Sequence, residues 1–132
     1  MIREIDNRLE IMKGFGDCFT DYRNQTKIEH TLDELLTQRV YGIIFGHEDL
    51  SDHDRLRSDM NLATLCGKKD PTGAERHKTT DKGKALAGKS TLNRLELTGP
   101  ESSAKARYKK IVMDHEKVDN FFVDVFMRSV IK

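Results

Sequence analysis

The sequence predicts an all-α protein, an irregular array of about five helices interrupted by a long basic loop. Three observations carry this. Apolar residues recur at helical spacing through most of the chain. The periodic stretches are bounded by cap residues and glycines. Between them, residues 67–88 lose the pattern altogether.

The first helix is predicted from Ile2, Ile5, Leu9 and Met12, one apolar stripe over three turns, stopped by Gly14 and Gly16. A second runs through KIEHTLDELLTQRVYGIIFG on Ile28, Leu32, Leu35, Leu36, Ile43 and Phe45 and ends at Gly46. Its tail VYGIIF is continuous and β-branched, which suits either a buried heart of the fold or a frayed, extended end. Ser51, Asp52, His53 and Asp54 are mostly good N-cap types and lead into a short helix with Leu56, followed by Met60, Leu62 and Leu65 before Gly67. The segment GKKDPTGAERHKTTDKGKALAG then reads as a long, mobile connection whose only apolar patch is Ala85–Leu86–Ala87. Ser90 is the expected N-cap of TLNRLEL, ending at Gly99-Pro100. The last helix is predicted from near Ser102, with Tyr108, Ile111, Val112, Val118, Phe121, Phe122, Val125, Phe126 and Val130. From Val118 onward these give a wide apolar face that needs a partner. The expected organisation is therefore 1–66 helical, 67–89 basic and flexible, and 90–132 helical with a docking helix.

Composition narrows the function classes. The chain has 132 residues, 36% hydrophobic and 34% charged, with no Trp and six Phe, so it holds one domain or part of one, with a thin core. No stretch approaches the roughly 20 apolar residues of a spanning helix, and the mixed charges of MIREIDNRLE match neither a secretory signal nor a transit peptide. Cys18 and Cys66 suit no disulfide framework or zinc ribbon and read as reduced packing thiols of a cytoplasmic protein. The net charge of +1 conceals a strong asymmetry. Residues 1–66 carry 8 basic and 13 acidic side chains, a net of −5; residues 67–110 carry 12 and 5, a net of +7; residues 111–132 carry 3 and 4. A basic block of that density is either a polyanion-binding surface or a solvated linker.

Two motifs invite chemistry. Gly83–Ser90 satisfies G-x-x-x-x-G-K-[ST], whose glycines let backbone N–H groups wrap phosphates while Lys and Ser reach phosphate oxygens and magnesium. That chemistry also needs a strand feeding the loop, and the preceding ERHKTTD has no strand character, so nucleotide binding stands only as a minor alternative. His47, Glu48, Asp49, Asp52, His53 and Asp54 place six potential metal ligands in eight residues. Their spacing matches no known ligand pattern, and helix capping accounts for the aspartates better.

The segments RVYGIIFGHEDLSDHDRLRSD (39–59) and LAGKSTLNRLEL (86–97) resemble the N-terminal region of bacterial insertion-sequence transposases of the DDE-domain group one type. LTQRVYG followed by GHEDLSDHD-x-LR is the more specific half, and STLNRLE follows at the matching distance. The resemblance covers residues 27–131, loosest over 67–85. It implies that Gly83–Ser90 is a helix start rather than a nucleotide loop. It also implies a ribonuclease-H-like catalytic domain following these helices, in which three carboxylates hold two Mg or Mn ions for strand cleavage and transfer. In that family the first catalytic Asp lies on a strand beyond the last helix, so this chain is expected to lack the catalytic carboxylates. No catalytic, cofactor-binding or metal residue is assigned, and Asp114, Asp119 and Asp124 lie on a predicted helix with no strand frame to converge them.

The resemblance and the basic block together imply a fragment that binds double-stranded DNA at the element's ends. Phosphate contacts are expected from Lys68, Lys69, Arg76, Lys78, Lys82, Lys84 and Lys89, and base contacts from Asn93 and Arg94, since Asn suits adenine and Arg guanine in the major groove. Arg39, Tyr41, Arg55 and Arg57 form a second tier, with Arg39 or Arg55 pairing Asp49, Asp52 or Asp54 as the alternative. The competing class is a catalytically inactive helical interaction protein that associates with itself or with the intact transposase through its last helix.

Overall fold

The computed structural model describes residues 10–96, 105 and 110–130. Among these the chain is mostly helical, with six α-helices and one two-stranded antiparallel sheet. It divides into two compact units, Asn24–Leu97 and a second formed from Met1–Arg23 with Thr98–Lys132. The predicted stripe positions Ile2, Ile5 and Leu9, the stop at Gly99-Pro100 and the start near Ser102 with Tyr108 lie outside the described residues.

In the unit that joins the chain's two ends, α1 spans Ile11–Gly16, so it ends at Gly16 as expected but runs through Gly14. The reason is packing. A Cβ on Gly14 would lie 2.6 Å from the Phe121 ring, so glycine here permits close approach of two helices. Strand β1 (Phe19–Asp21) pairs with β2 (Ile111–Met113), Thr20 opposite Val112. This small sheet is the departure from an otherwise helical chain, and it takes Ile111 and Val112 out of the last helix, where the sequence pattern places them. Their β-branched run prefers the ladder, and Asp114 then caps the helix that follows, accepting the Lys117 amide at 3.1 Å. That helix, here α6 once the intervening helices are counted, spans His115–Val130. Phe15, Phe19, Phe121 and Phe122 meet, with ring centroids 5.3–6.1 Å apart, so four of the six phenylalanines form one cluster. Burial raises the Cys18 thiol above its ordinary value, with Asp17 and Asp114 adding to the effect, and its Sγ donates to the Gly14 carbonyl at 3.6 Å.

Residues 24–96 begin with α2 (Leu32–Ile44), capped by Thr31, whose hydroxyl accepts the Glu34 amide in a T-x-x-E start. Ile28 precedes this helix. Leu35, Leu36, Gln38, Tyr41 and Gly42 form its buried face, whereas Ile43, Ile44 and Phe45 are about half exposed. The VYGIIF tail is thus helical to Ile44, buried only at its start, and reversed by Gly46 at φ +93°. A 3-10 turn (Leu50–Asp52) leads into α3 (His53–Leu56), then α4 (Met60–Leu65) is capped by Asp59. Helix α5 spans Lys89–Glu96, with Leu92 and Leu95 buried. Ser90 lies inside its first turn rather than at the cap.

Residues 67–88 are tied down rather than loosely strung. Gly73, at φ +73°, packs so closely on the Lys84 and Ala85 amides that a Cβ would sit 2.6 Å from the first. Ala85, Leu86 and Ala87 are 4%, 1% and 1% exposed, forming an apolar strap laid across the helices. No helix among the described residues is long and apolar enough to cross a membrane.

Candidate nucleic-acid interface

The strap and the helix it feeds are held by Gln38 of α2, Asp54 of α3 and Arg57 just after α3. Gln38 Nε2 donates to the Ala87 carbonyl at 2.8 Å while the Ala87 amide donates to Gln38 Oε1 at 3.0 Å. The same Nε2 lies 2.9 Å from Nδ1 of the buried His53. The Leu86 amide donates to the Arg57 carbonyl at 3.1 Å, and the Lys89 amide donates to Asp54 Oδ1 at 2.8 Å. Asp54, 35 positions upstream, thereby satisfies one of the orphan amides at the start of α5.

These bonds also dispose of the nucleotide loop. Within Gly83–Ser90 the amides of residues 83, 84, 86, 87 and 89 already donate to protein acceptors, and the element that leads into them is a 3-10 turn (Thr79–Asp81), not a strand. The backbone groups that would wrap a phosphate are spent on the fold.

The predicted phosphate contacts separate into two sets. Arg76 bonds the Lys84 carbonyl at 2.6 Å, Glu29 at 2.7 Å and Asp81 at 3.2 Å. Lys68 pairs with Glu34 and lies 3.0 Å from His30 Nδ1. Lys82 donates to the carbonyls of Ala74 and Arg76 at 3.1 and 2.9 Å. These three hold residues 67–88 together. Among the described residues no ion pair engages the side chains of Lys69, Lys78, Lys84 or Lys89, and all but the half-buried Lys84 are exposed. On α5, Arg94 and Ser90 lie one turn apart on the exposed face, while Asn93 is half-buried.

The second tier is also resolved. Arg39 donates to the carbonyls of His47 and Glu48, at 3.2 and 2.6 Å, closing the end of α2, and its charge helps to hold the Asp49 carboxyl below its ordinary value. Tyr41 is buried, Arg57 pairs with Asp81 at 3.3 Å, and Arg55 is exposed. In the acidic cluster His53 turns into the core and Asp49 caps the 3-10 turn by accepting the Ser51 amide, which holds its carboxyl below the ordinary value. The described residues contain no group of three or more His, Cys, Asp or Glu side chains that could hold a metal ion. On α6, Asp124 pairs with Arg128 and Asp114 serves as the cap.

What sequence reasoning missed is the clamp. Gln38 falls three residues after Leu35 and three before Tyr41, on the buried stripe of α2, and a polar residue at that spacing was the available signal.

A core-bound strap feeding an amphipathic helix defines a folded helical module. Over residues 1–132 the sequence matches the family described as transposase DDE domain group 1, and the chain belongs to that family. No curated protein and no solved structure matches it. The family normally uses Mg or Mn, and the described carboxylates do not fit such a site, since no three of them come together with one another or with His or Cys closely enough to hold an ion.

Proposed function

We propose that this chain recognises the DNA ends of an insertion-sequence element, as the N-terminal part of a DDE transposase acting in the bacterial cytoplasm. The catalytic carboxylates and their ions belong, on this reading, to a ribonuclease-H-like domain outside these residues. The observation that carries it is α5: a helix with its apolar side buried, its start pinned by Asp54, and Lys89, Ser90 and Arg94 turned outward. Lys69, Lys78, Lys84 and Lys89 then supply phosphate contacts that fix register, and Arg94 with Asn93 supplies base readout.

The test is duplex affinity across a salt series, comparing the element's terminal repeat with a scrambled duplex. Four phosphate contacts give a slope of roughly −3 to −4 in log affinity against log salt. Preference for the terminal repeat supports end recognition. Equal affinity for both leaves a basic tether only, and no binding at low salt removes the DNA reading.

A second reading draws on α6, where Phe122, Val123, Phe126, Met127 and Val130 are each about half exposed or more. Such a face supports association with another copy or with the intact transposase.

A further inference from the structure

The contacts around Gly88 carry an inference that rests on the reading of α5 as the helix that meets DNA. We infer that Asp54 is a positioning residue for DNA-end selection. Its carboxylate fixes where α5 begins, and through that how Ser90 and Arg94 are presented to base edges, although it touches no base itself.

Three observations support this. First, the Lys89 amide donates to Asp54 Oδ1 at 2.8 Å, a charge-assisted bond at a helix start. Second, the strap passes close against the Asp54 carboxylate. A Cβ on the buried Gly88 would lie 2.8 Å from Asp54 Oδ1 and 3.2 Å from Arg57 Nη1, so a side chain here would push against the carboxylate that holds the helix start. Third, the neighbouring bonds to residues 86 and 87 hold the strap just before it, so Asp54 is the hydrogen-bond acceptor where the strap passes into α5, whose buried Leu92 and Leu95 then seat the helix. The carboxylate repels phosphate and cannot serve as a backbone contact. Its place beside Lys89 is accounted for by the hydrogen bond it accepts.

The consequence is a separation of selectivity from affinity. Base-edge hydrogen bonds depend steeply on distance and angle, whereas phosphate attraction is long-ranged and tolerant of small displacements. The experiment uses the full chain with Asp54→Asn, which keeps an acceptor oxygen, and Asp54→Ala, which does not. Both remove the same charge, so electrostatic effects on DNA cancel in the comparison. Each is titrated with a duplex bearing the element's terminal repeat and with a scrambled duplex, and amide exchange is followed at Lys89 and Leu92.

Asp54→Asn is expected to keep the wild-type preference within about twofold, and Asp54→Ala to lose about tenfold of it, the discrimination of one good base contact. Faster exchange at Lys89 in the alanine variant alone accompanies that loss. Gly88→Ala, which crowds the same contact, is expected to reduce preference likewise while leaving Asp54 in place. Equal preference in the asparagine and alanine variants overturns the inference. A wild-type chain with no preference for the terminal repeat overturns instead the reading of α5, and this inference with it, even where the exchange result stands.

Discussion

The side-chain amide of Gln38 pairs with the peptide of Ala87 in both directions, at 2.8 and 3.0 Å, across 49 residues of sequence. A glutamine here does the work of a neighbouring strand, satisfying both polar groups of a peptide that is 1% exposed. Because its Nε2 also faces His53, one side chain joins α2, α3 and the strap that feeds α5. The basic segment is folded through this polar contact in the core as well as through its own Lys68, Arg76 and Lys82.

Gln38→Leu is therefore expected to destabilise the protein despite its similar size. It strands the amide and carbonyl of Ala87 in an apolar setting, at about 1–3 kcal/mol for each unsatisfied group. A loss of about 2–4 kcal/mol in urea unfolding is the expected outcome. A change below about 0.5 kcal/mol would show that the clamp is incidental.

Gly42 and Gly14 should respond against helix propensity. Alanine is favoured over glycine by about 1 kcal/mol in a helix interior. A Cβ on Gly42, however, would lie 2.9 Å from Cε1 of the buried His53, and one on Gly14 would lie 2.6 Å from Cε1 of Phe121. Neither ring is free to retreat: His53 is held against Gln38, and Phe121 packs on Phe15 and Phe122. Gly42→Ala and Gly14→Ala should each lose about 1–3 kcal/mol in chemical denaturation, as overpacked cores do. A gain in either would mean that the neighbouring ring moves at no cost.

These same residues mark what was legible in the sequence. Helices α2, α4 and α5 could be read because Leu32, Leu35 and Leu36, Met60, Leu62 and Leu65, and Leu92 and Leu95 keep helical spacing within single segments. Gly14 of α1 misled because a stop and a close helix contact use the same residue type, and only the position of Phe121 distinguishes them. Ile111–Val112–Met113 fits a strand or a buried helix equally by local pattern, and its partner Phe19–Asp21 is some ninety residues away. In the basic block the charge was visible but not its use. Whether a lysine faces solvent or a carbonyl depends on long-range contacts such as Arg76 with Glu29, which composition does not encode.

The basic side chains should accordingly separate by experiment. Lys78→Ala and Lys89→Ala remove exposed charges that form no ion pair among the described residues. Each is expected to reduce the magnitude of the salt slope for DNA by about 1 while leaving stability within about 0.5 kcal/mol. Arg76→Lys keeps the charge but gives up the forked geometry that reaches Glu29, Asp81 and the Lys84 carbonyl together. It should destabilise the fold, and any DNA defect should track the unfolded fraction. Circular dichroism melts paired with the salt series distinguish the two behaviours.

Acid sensitivity follows from the turn aspartates. The Ser51 amide holds the Asp49 carboxyl below its ordinary value, and the Thr72 hydroxyl does the same for Asp70. A carboxyl depressed in the folded state binds fewer protons there than in the unfolded chain at the same pH. Its contribution is complete above the unfolded value, near 3.9, and is lost as pH falls through the folded one. Urea midpoints should therefore fall below about pH 4, and Asp49→Asn with Asp70→Asn should flatten that decline. An unchanged acid limb in the double variant would place the responsible carboxylates elsewhere.

The exposed face of α6 sets the last expectation. Phe126 and Val130 lie beyond the aromatic cluster that fixes the helix to α1, and they are 64% and 62% exposed. Their substitution should therefore leave the fold intact, and glutamate retains good helix propensity. If this face binds another copy, sedimentation should show association that grows with concentration and persists at high salt, since apolar burial is not screened. Phe126→Glu with Val130→Glu should then abolish it. DNA binding through α5 should weaken with salt and survive that double substitution, so the two activities respond oppositely to one variant and one variable. A chain that remains monomeric at high concentration would exclude a second copy as the partner and leave the intact transposase as the protein to test on this face.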